Sequence, residues 1–207
     1  WSTIVGTQAV LDDAPILLAG STHAGEEKLL GEIVQRLRRN FPTLFYIAVP
    51  RHAERWRGVR DELTALGFRV ALRAGEESPV DAPDALLVNT TGELRDWYEC
   101  ATVVFVGKSL TAHGGQNPAE AVAAGKAVVV GPNMENFRTL VSQLVRARGI
   151  HQVADAAALE ARIAELLADA GQRAALAANG AQCLVSHRGA TARTCEAVLR
   201  GRGGVIF

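Results

Sequence analysis

An excess of charge of either sign is the first thing missing from this sequence. Its 22 basic and 22 acidic side chains cancel, so it lacks the cationic footprint of a protein held to nucleic acid by bulk charge, and no nucleic-acid partner is expected. Cysteine is sparse. Cys100, Cys183 and Cys195 are odd in number and lack paired metal-ligand spacing, which reads as reduced thiols rather than a disulfide framework. No apolar run reaches the roughly 18 to 20 residues that cross a bilayer, and no charged-then-apolar signal opens the chain, so a soluble protein is expected. The first glycine-containing loop is no GxGxxG, which argues against a dinucleotide site of the usual kind, and no Gly-rich loop ends in Lys-Ser/Thr. His23, His52 and His113 fall on different loops without metal spacing, so no metal site is expected. A nucleophile elbow and a recognisable triad are absent too.

What is present is alternation. The chain has 207 residues, 48% of them hydrophobic and 21% charged, enough for one sizeable α/β core. Short apolar runs at 15–20, 43–50, 68–73, 85–89, 102–107, 127–131 and 150–153 read as strands. Between them, helical spacing predicts helices over about 26–39, 53–66 and 134–148, a short one ending at Cys100, and helix from 156 to nearly 200 with breaks near Gly171 and Gly189. Strands joined by such helices need right-handed crossovers. The expected fold is therefore one doubly wound α/β domain over residues 1–207, its sheet mostly parallel with helices on both faces.

Such a sheet binds ligands beyond the carboxyl ends of its strands. That rule selects five polar loops: AGSTHAGEE, PRHAER, NTTGEL, GKSLTAHGGQNPAE and GPNMENF. In the first, Ser21 or Thr22 either caps the following helix or joins its amino terminus in holding an anion, with Glu26 and Glu27 in the favourable first turn. In the second, Arg51 and His52 are either plain surface residues or, on a rim, a guanidinium fork for phosphate with a neighbour. In the third, Glu93 is either a first-turn carboxylate or part of the rim. The fourth is the most specific. Gly114 and Gly115 permit positive φ or close approach to a ligand, Asn117 suits a cap, Pro118 suits a first turn, and Glu120 sits in that turn. An ionised Glu120 could accept from both vicinal hydroxyls of a sugar, which points to a sugar-bearing ligand.

These blocks, LLAGSTHAGEE, PRHAERW, LVNTTGEL and FVGKSLTAHGGQNPAEAVAAGKAVVVGPNMENF, resemble in order the carboxyl-terminal half of the 3-deoxy-D-manno-octulosonic acid (Kdo) transferases. Those are bacterial enzymes of lipopolysaccharide synthesis with a two-lobed GT-B fold. The resemblance spans roughly residues 15–140 and implies a Rossmann-like lobe that binds the sugar nucleotide CMP-Kdo. It implies that Ser21 and Thr22 line the nucleotide phosphate, with Arg51 and His52 beside it. Thr90, Gly92, Glu93 and Leu94 match a loop near base and sugar. Gly114 and Gly115 precede the NPxE element, where Asn117 and Glu120 stand and the glutamate grips the ribose. Transfer of Kdo to a lipid A precursor would need no metal and no cofactor beyond the donor. The acceptor site, the general base and the membrane contact are expected in an amino-terminal lobe outside this chain, at the cytoplasmic face of the inner membrane. No catalytic residue is expected here.

The sequence departs from the family pattern in places. Asn89 replaces an aspartate, Thr91 replaces a larger apolar residue, and GKSL and TAHGGQ replace GGSL and PHGGH. These changes bear on substrate detail more than on class. Three other readings stay open: a GT-B transferase using a UDP-sugar, an epimerase of the same architecture, and a non-catalytic nucleotide-binding module.

Overall fold

The structure, a computed structural model, describes residues 14–75 and 80–185. Its strands are β1 (Ile16–Thr22), β2 (Phe45–Pro50), β3 (Val70–Leu72), β4 (Ala85–Leu87), β5 (Val103–Val106), β6 (Ala127–Val130) and β7 (His151–Gln152). Between and after them run helices α1 (Glu26–Leu37), α2 (Trp56–Ala65), α3 (Leu94–Tyr98), α4 (Ala119–Ala123), α5 (Arg138–Arg146), α6 (Ala156–Ala168) and α7 (Ala170–Val185). The strands form one sheet in the order β3-β4-β2-β1-β5-β6-β7, every neighbouring pair parallel.

Period-two alternation divides the strand side chains between two cores. Leu17 and Ala19 of β1 join Leu30, Ile33 and Val34 of α1, Val59 and Leu63 of α2, and Leu159 and Ile163 of α6 on one face. Ile16 and Leu18 join Trp97 and Tyr98 of α3, Ala121 and Val122 of α4, and Val141 and Leu144 of α5 on the other. Strands covered on both faces need no polar side, which is why their sequences read as unbroken apolar runs.

Several boundaries differ from the sequence expectation. β1 continues through Ser21 and Thr22, so neither caps α1. The cap position belongs to Gly25 at φ 86, and no side chain bonds the helix end. Pro118 takes the cap position of α4 rather than its first turn, and Asn117 still supplies a bond, its Oδ1 accepting from the Ala119 amide at 3.0 Å. The long final helix breaks at Asp169, two residues before Gly171. The break expected near Gly189 lies outside the described residues.

Candidate functional site

Because all strands run the same way, the loops after them gather at one edge. Chain order reverses between β1 and β5, and at such a switch point the following loops diverge and leave a crevice. Here the two strand ends come unusually close. The Gly107 amide donates to Gly20 O at 2.8 Å, and a Cβ on Gly107 would stand 2.5 Å from both Ser21 O and Thr22 Cα. Only glycine fits there. The next residue, Lys108, has a left-handed backbone at φ 55, which turns three successive amides inward.

Those amides meet Glu26. Lys108 N donates to its Oε2 at 2.7 Å, while Ser109 N and Leu110 N donate to its Oε1 at 3.0 and 3.1 Å. His23 N adds a fourth bond, to Oε2 at 2.9 Å. The neighbouring Glu27 accepts a two-pronged contact from Arg55, at 2.9 and 3.2 Å, and the Thr22 hydroxyl at 2.9 Å. Both glutamates are 0% exposed. A buried carboxylate is costly unless fully bonded, and both of these are held by several donors. Sequence reasoning assigned the pair only a favourable place in a helix's first turn. Their partners lie up to 84 positions away, a distance that no local spacing encodes.

The loop after β5 then folds back on itself, with Gly115 N donating to Lys108 O at 3.0 Å and Gln116 N to Gly107 O at 3.2 Å. Its glycines approach protein, not open space. A Cβ on Gly114 would lie 2.7 Å from Asn136 Nδ2, and one on Gly115 2.4 Å from Met134 Sδ. Glu135 closes this clamp, accepting from Gly114 N at 2.6 Å and pairing with the His113 ring at 3.1 Å. The His113 contact, with help from its own backbone and the Gly114 amide, pulls the Glu135 carboxyl from 4.5 down to about 2.

The other expected residues divide into occupied and open groups. Thr22 is buried with its hydroxyl given to Glu27, so its side chain faces the interior. Ser21, at φ 55, is half-buried. Leu94 packs over Gly20, 3.2 Å from where a Cβ would be, and against the second core. Glu93 accepts from Arg73 Nε at 2.8 Å, and Gly92 turns the chain into α3 at φ 86. The Thr90 hydroxyl is buried without a hydrogen-bond partner among the described residues. Asn89 bridges to Ala74, accepting from its amide at 2.9 Å and donating to its carbonyl at 2.6 Å; an aspartate there could accept but not donate.

Arg51, His52, Asn117 and Glu120 are exposed. The Arg51 amide donates to Thr22 O at 2.9 Å, which holds its backbone against the end of β1, while its guanidinium has no partner among the described residues. The His52 ring meets His23 edge-on at 5.8 Å. Burial, followed by the Glu120 carboxylate nearby, raises the Tyr98 hydroxyl above its ordinary range. The hydroxyl lies 3.7 Å from the Cβ position of Gly20, at the end of β1. Among the described residues no three His, Cys, Asp or Glu side chains converge to hold a metal, and no helix is long and apolar enough to cross a membrane.

Sequence and structure comparisons agree on the relatives. The Kdo transferase of Haemophilus influenzae is 35% identical over 89% of this chain and 43% of its own length, and that of Bordetella pertussis is 34% identical over 89% and 44%. The carboxyl-terminal CMP-Kdo binding domain of WaaA from Acinetobacter baumannii superposes with a TM-score of 0.78 at 29% identity, covering 84% of this chain and 91% of that one. The chain belongs to the Kdo transferase family. It corresponds to the carboxyl-terminal, Rossmann-like part of the GT-B fold and spans less than half the length of these curated relatives. The family model for group 1 glycosyl transferases also matches, over residues 88–182. A UDP- and glucose-bound Anabaena protein, Alr3699/HepE, shares the fold at TM-score 0.64 with 13% identity, over 92% of this chain and 50% of its own.

Lys108 occupies a backbone conformation that disfavours a side chain. The position is left-handed, where a side chain costs about 1 kcal/mol, and Glu26 holds the amide of Lys108 in that conformation regardless.

Proposed function

We propose that this chain is the donor-binding lobe of a Kdo transferase and takes CMP-Kdo in the crevice between the ends of β1 and β5. The observation that carries this reading is the match, over 91% of its length, to a domain described as CMP-Kdo binding. Glu120, exposed beside the crevice, would hold the ribose hydroxyls. Asn117, Gly114 and Gly115 would shape its loop. Arg51 and His52 would face the phosphate, while Thr90 and Glu93 would border base and sugar. Transfer would break the bond from the anomeric carbon of Kdo to the CMP phosphate oxygen and form one from that carbon to an acceptor hydroxyl oxygen, whose proton passes to a general base as CMP leaves. The Arg51 guanidinium, unpaired among the described residues, is suited to stabilise the charge growing on that phosphate.

In this reading the acceptor, a lipid A precursor, and the general base belong to an amino-terminal lobe working with this one, at the cytoplasmic face of the bacterial inner membrane. The transfer would proceed without a metal ion. Calorimetric titration of the chain with CMP, UMP and UDP tests the donor assignment. CMP should bind tightest, and Glu120→Ala should weaken it about tenfold, the loss of a charged hydrogen-bonding partner. Preference for UDP would overturn the assignment in favour of another GT-B donor.

A further inference from the structure

We infer that Glu26 and Glu27 are positioning residues for the donor, each fixing one wall of the crevice from beneath while touching no ligand. The inference rests on the donor-lobe reading above and adds how that site keeps its shape. Both side chains are 0% exposed, so neither can meet a bound nucleotide. Each nevertheless reaches a loop that borders the crevice. Glu26 binds the amides of residues 108–110 after β5. Glu27 binds Arg55, which closes the turn after β2 that carries Arg51 and His52. Adjacent residues at the start of α1 thereby tie β1 to both of its neighbours' loops.

The Glu26 arrangement has a further consequence. Successive inward amides beginning at a left-handed residue form a concave nest suited to an anion. In many sites that nest awaits a phosphate. Here the protein's own carboxylate fills it, so the loop is set before any donor arrives and those amides are not available to the nucleotide. In the donor-lobe reading the phosphate then falls to other groups on the rim, the exposed guanidinium of Arg51 among them. A wall fixed in advance spares binding the cost of ordering it.

Among the described residues, every hydrogen-bonding partner of the Glu26 carboxylate is a backbone N–H, two on each oxygen. Glu26→Gln is therefore a sharp probe: whichever way the amide is turned, its NH₂ faces two donors. Hydrogen exchange at the 108–110 amides should rise, and affinity for CMP should fall about tenfold or more at temperatures where the variant is fully folded. A folded Glu26→Gln chain with exposed 108–110 amides and affinity within about twofold of the parent would overturn the inference, because the loop would then be structural only.

Should Glu26→Gln not fold, Arg55→Lys tests the other arm, since it keeps the charge and removes the fork. We expect faster exchange at 51–55, an almost unchanged melting temperature and CMP bound roughly three- to tenfold more weakly. Unchanged affinity there would count against the inference equally. A parent chain that binds no CMP would sink the donor reading itself. Exchange would still decide the wall-holding roles, and protected amides at 108–110 in Glu26→Gln would refute them.

Discussion

The two sides of the crevice are built on opposite terms. On the β5–β6 side, residues 107–116 and 131–136 satisfy one another: Glu26 fills the amide nest, Asn133 N donates to Ser109 O, Asn136 N donates to Gly114 O, and Glu135 holds Gly114. On the β2–β4 side, Arg51 and His52 project into solvent, and the Thr90 hydroxyl lacks a partner among the described residues. The first side is finished without a ligand, while the second has donors to spare. A binding site needs both, one surface to keep shape and one to supply new bonds. Substitutions should therefore cost stability, and the site's shape with it, on the first side, but affinity alone on the second.

The strongest test of the finished side is Gly107→Ala. The added methyl would lie 2.5 Å from backbone atoms of Ser21 and Thr22, so β1 and β5 would have to part at the switch point itself. We expect a loss of about 3 kcal/mol in urea unfolding, the upper range for overpacking against backbone, and no measurable CMP binding. A loss below about 1 kcal/mol would mean that the strand ends yield easily and the wall is softer than its bonds suggest.

This division also marks what could be read from sequence. Buried parallel strands such as Val103–Val106 and Ala127–Val130 announce themselves, because covering both faces leaves an apolar run that needs no partner to interpret. The rim position of Arg51, Asn117 and Glu120 followed from strand direction alone. The finished side was far less legible. Glu26 and Glu27 look like ordinary first-turn acids until β5 brings residues 108–110 beside them, and Thr22 looks like a cap until β1 is seen to run through it. From sequence, Gly114 and Gly115 offer either room for a ligand or positive φ. Both have positive φ, and the room they make is taken by Met134 and Asn136. Long-range partners leave no trace in local spacing, so the sequence alone does not tell an occupied polar group from an available one.

On the open side, Arg51→Ala should separate the two losses expected together for Gly107→Ala. With the side chain exposed and its guanidinium unpaired among the described residues, stability should change by no more than about 0.5 kcal/mol, as for surface substitutions generally. CMP affinity should nevertheless drop about tenfold through loss of a charged phosphate partner. Equal losses in stability and affinity would erase the contrast between the two sides.

The smallest effect is expected where the finished side meets solvent, at the Glu135 clamp. The His113 contact, chiefly, pulls the Glu135 carboxyl down from 4.5 to about 2 in the folded chain. A depressed carboxyl favours the folded clamp in full above about 4.5 and loses that contribution as pH falls toward 2. Protection of the Gly114 and Asn136 amides, relative to the intrinsic exchange rate at each pH, should thus fall between those limits more than protection in the sheet does. Glu135→Gln should flatten this pH dependence, and because the pair is exposed, added salt should shrink it in the parent. If the parent and Glu135→Gln lose protection in parallel, the acid response belongs to the whole fold. The clamp would then be held by backbone bonds and glycine geometry alone, which would make the finished side still less dependent on charge than its buried glutamates imply.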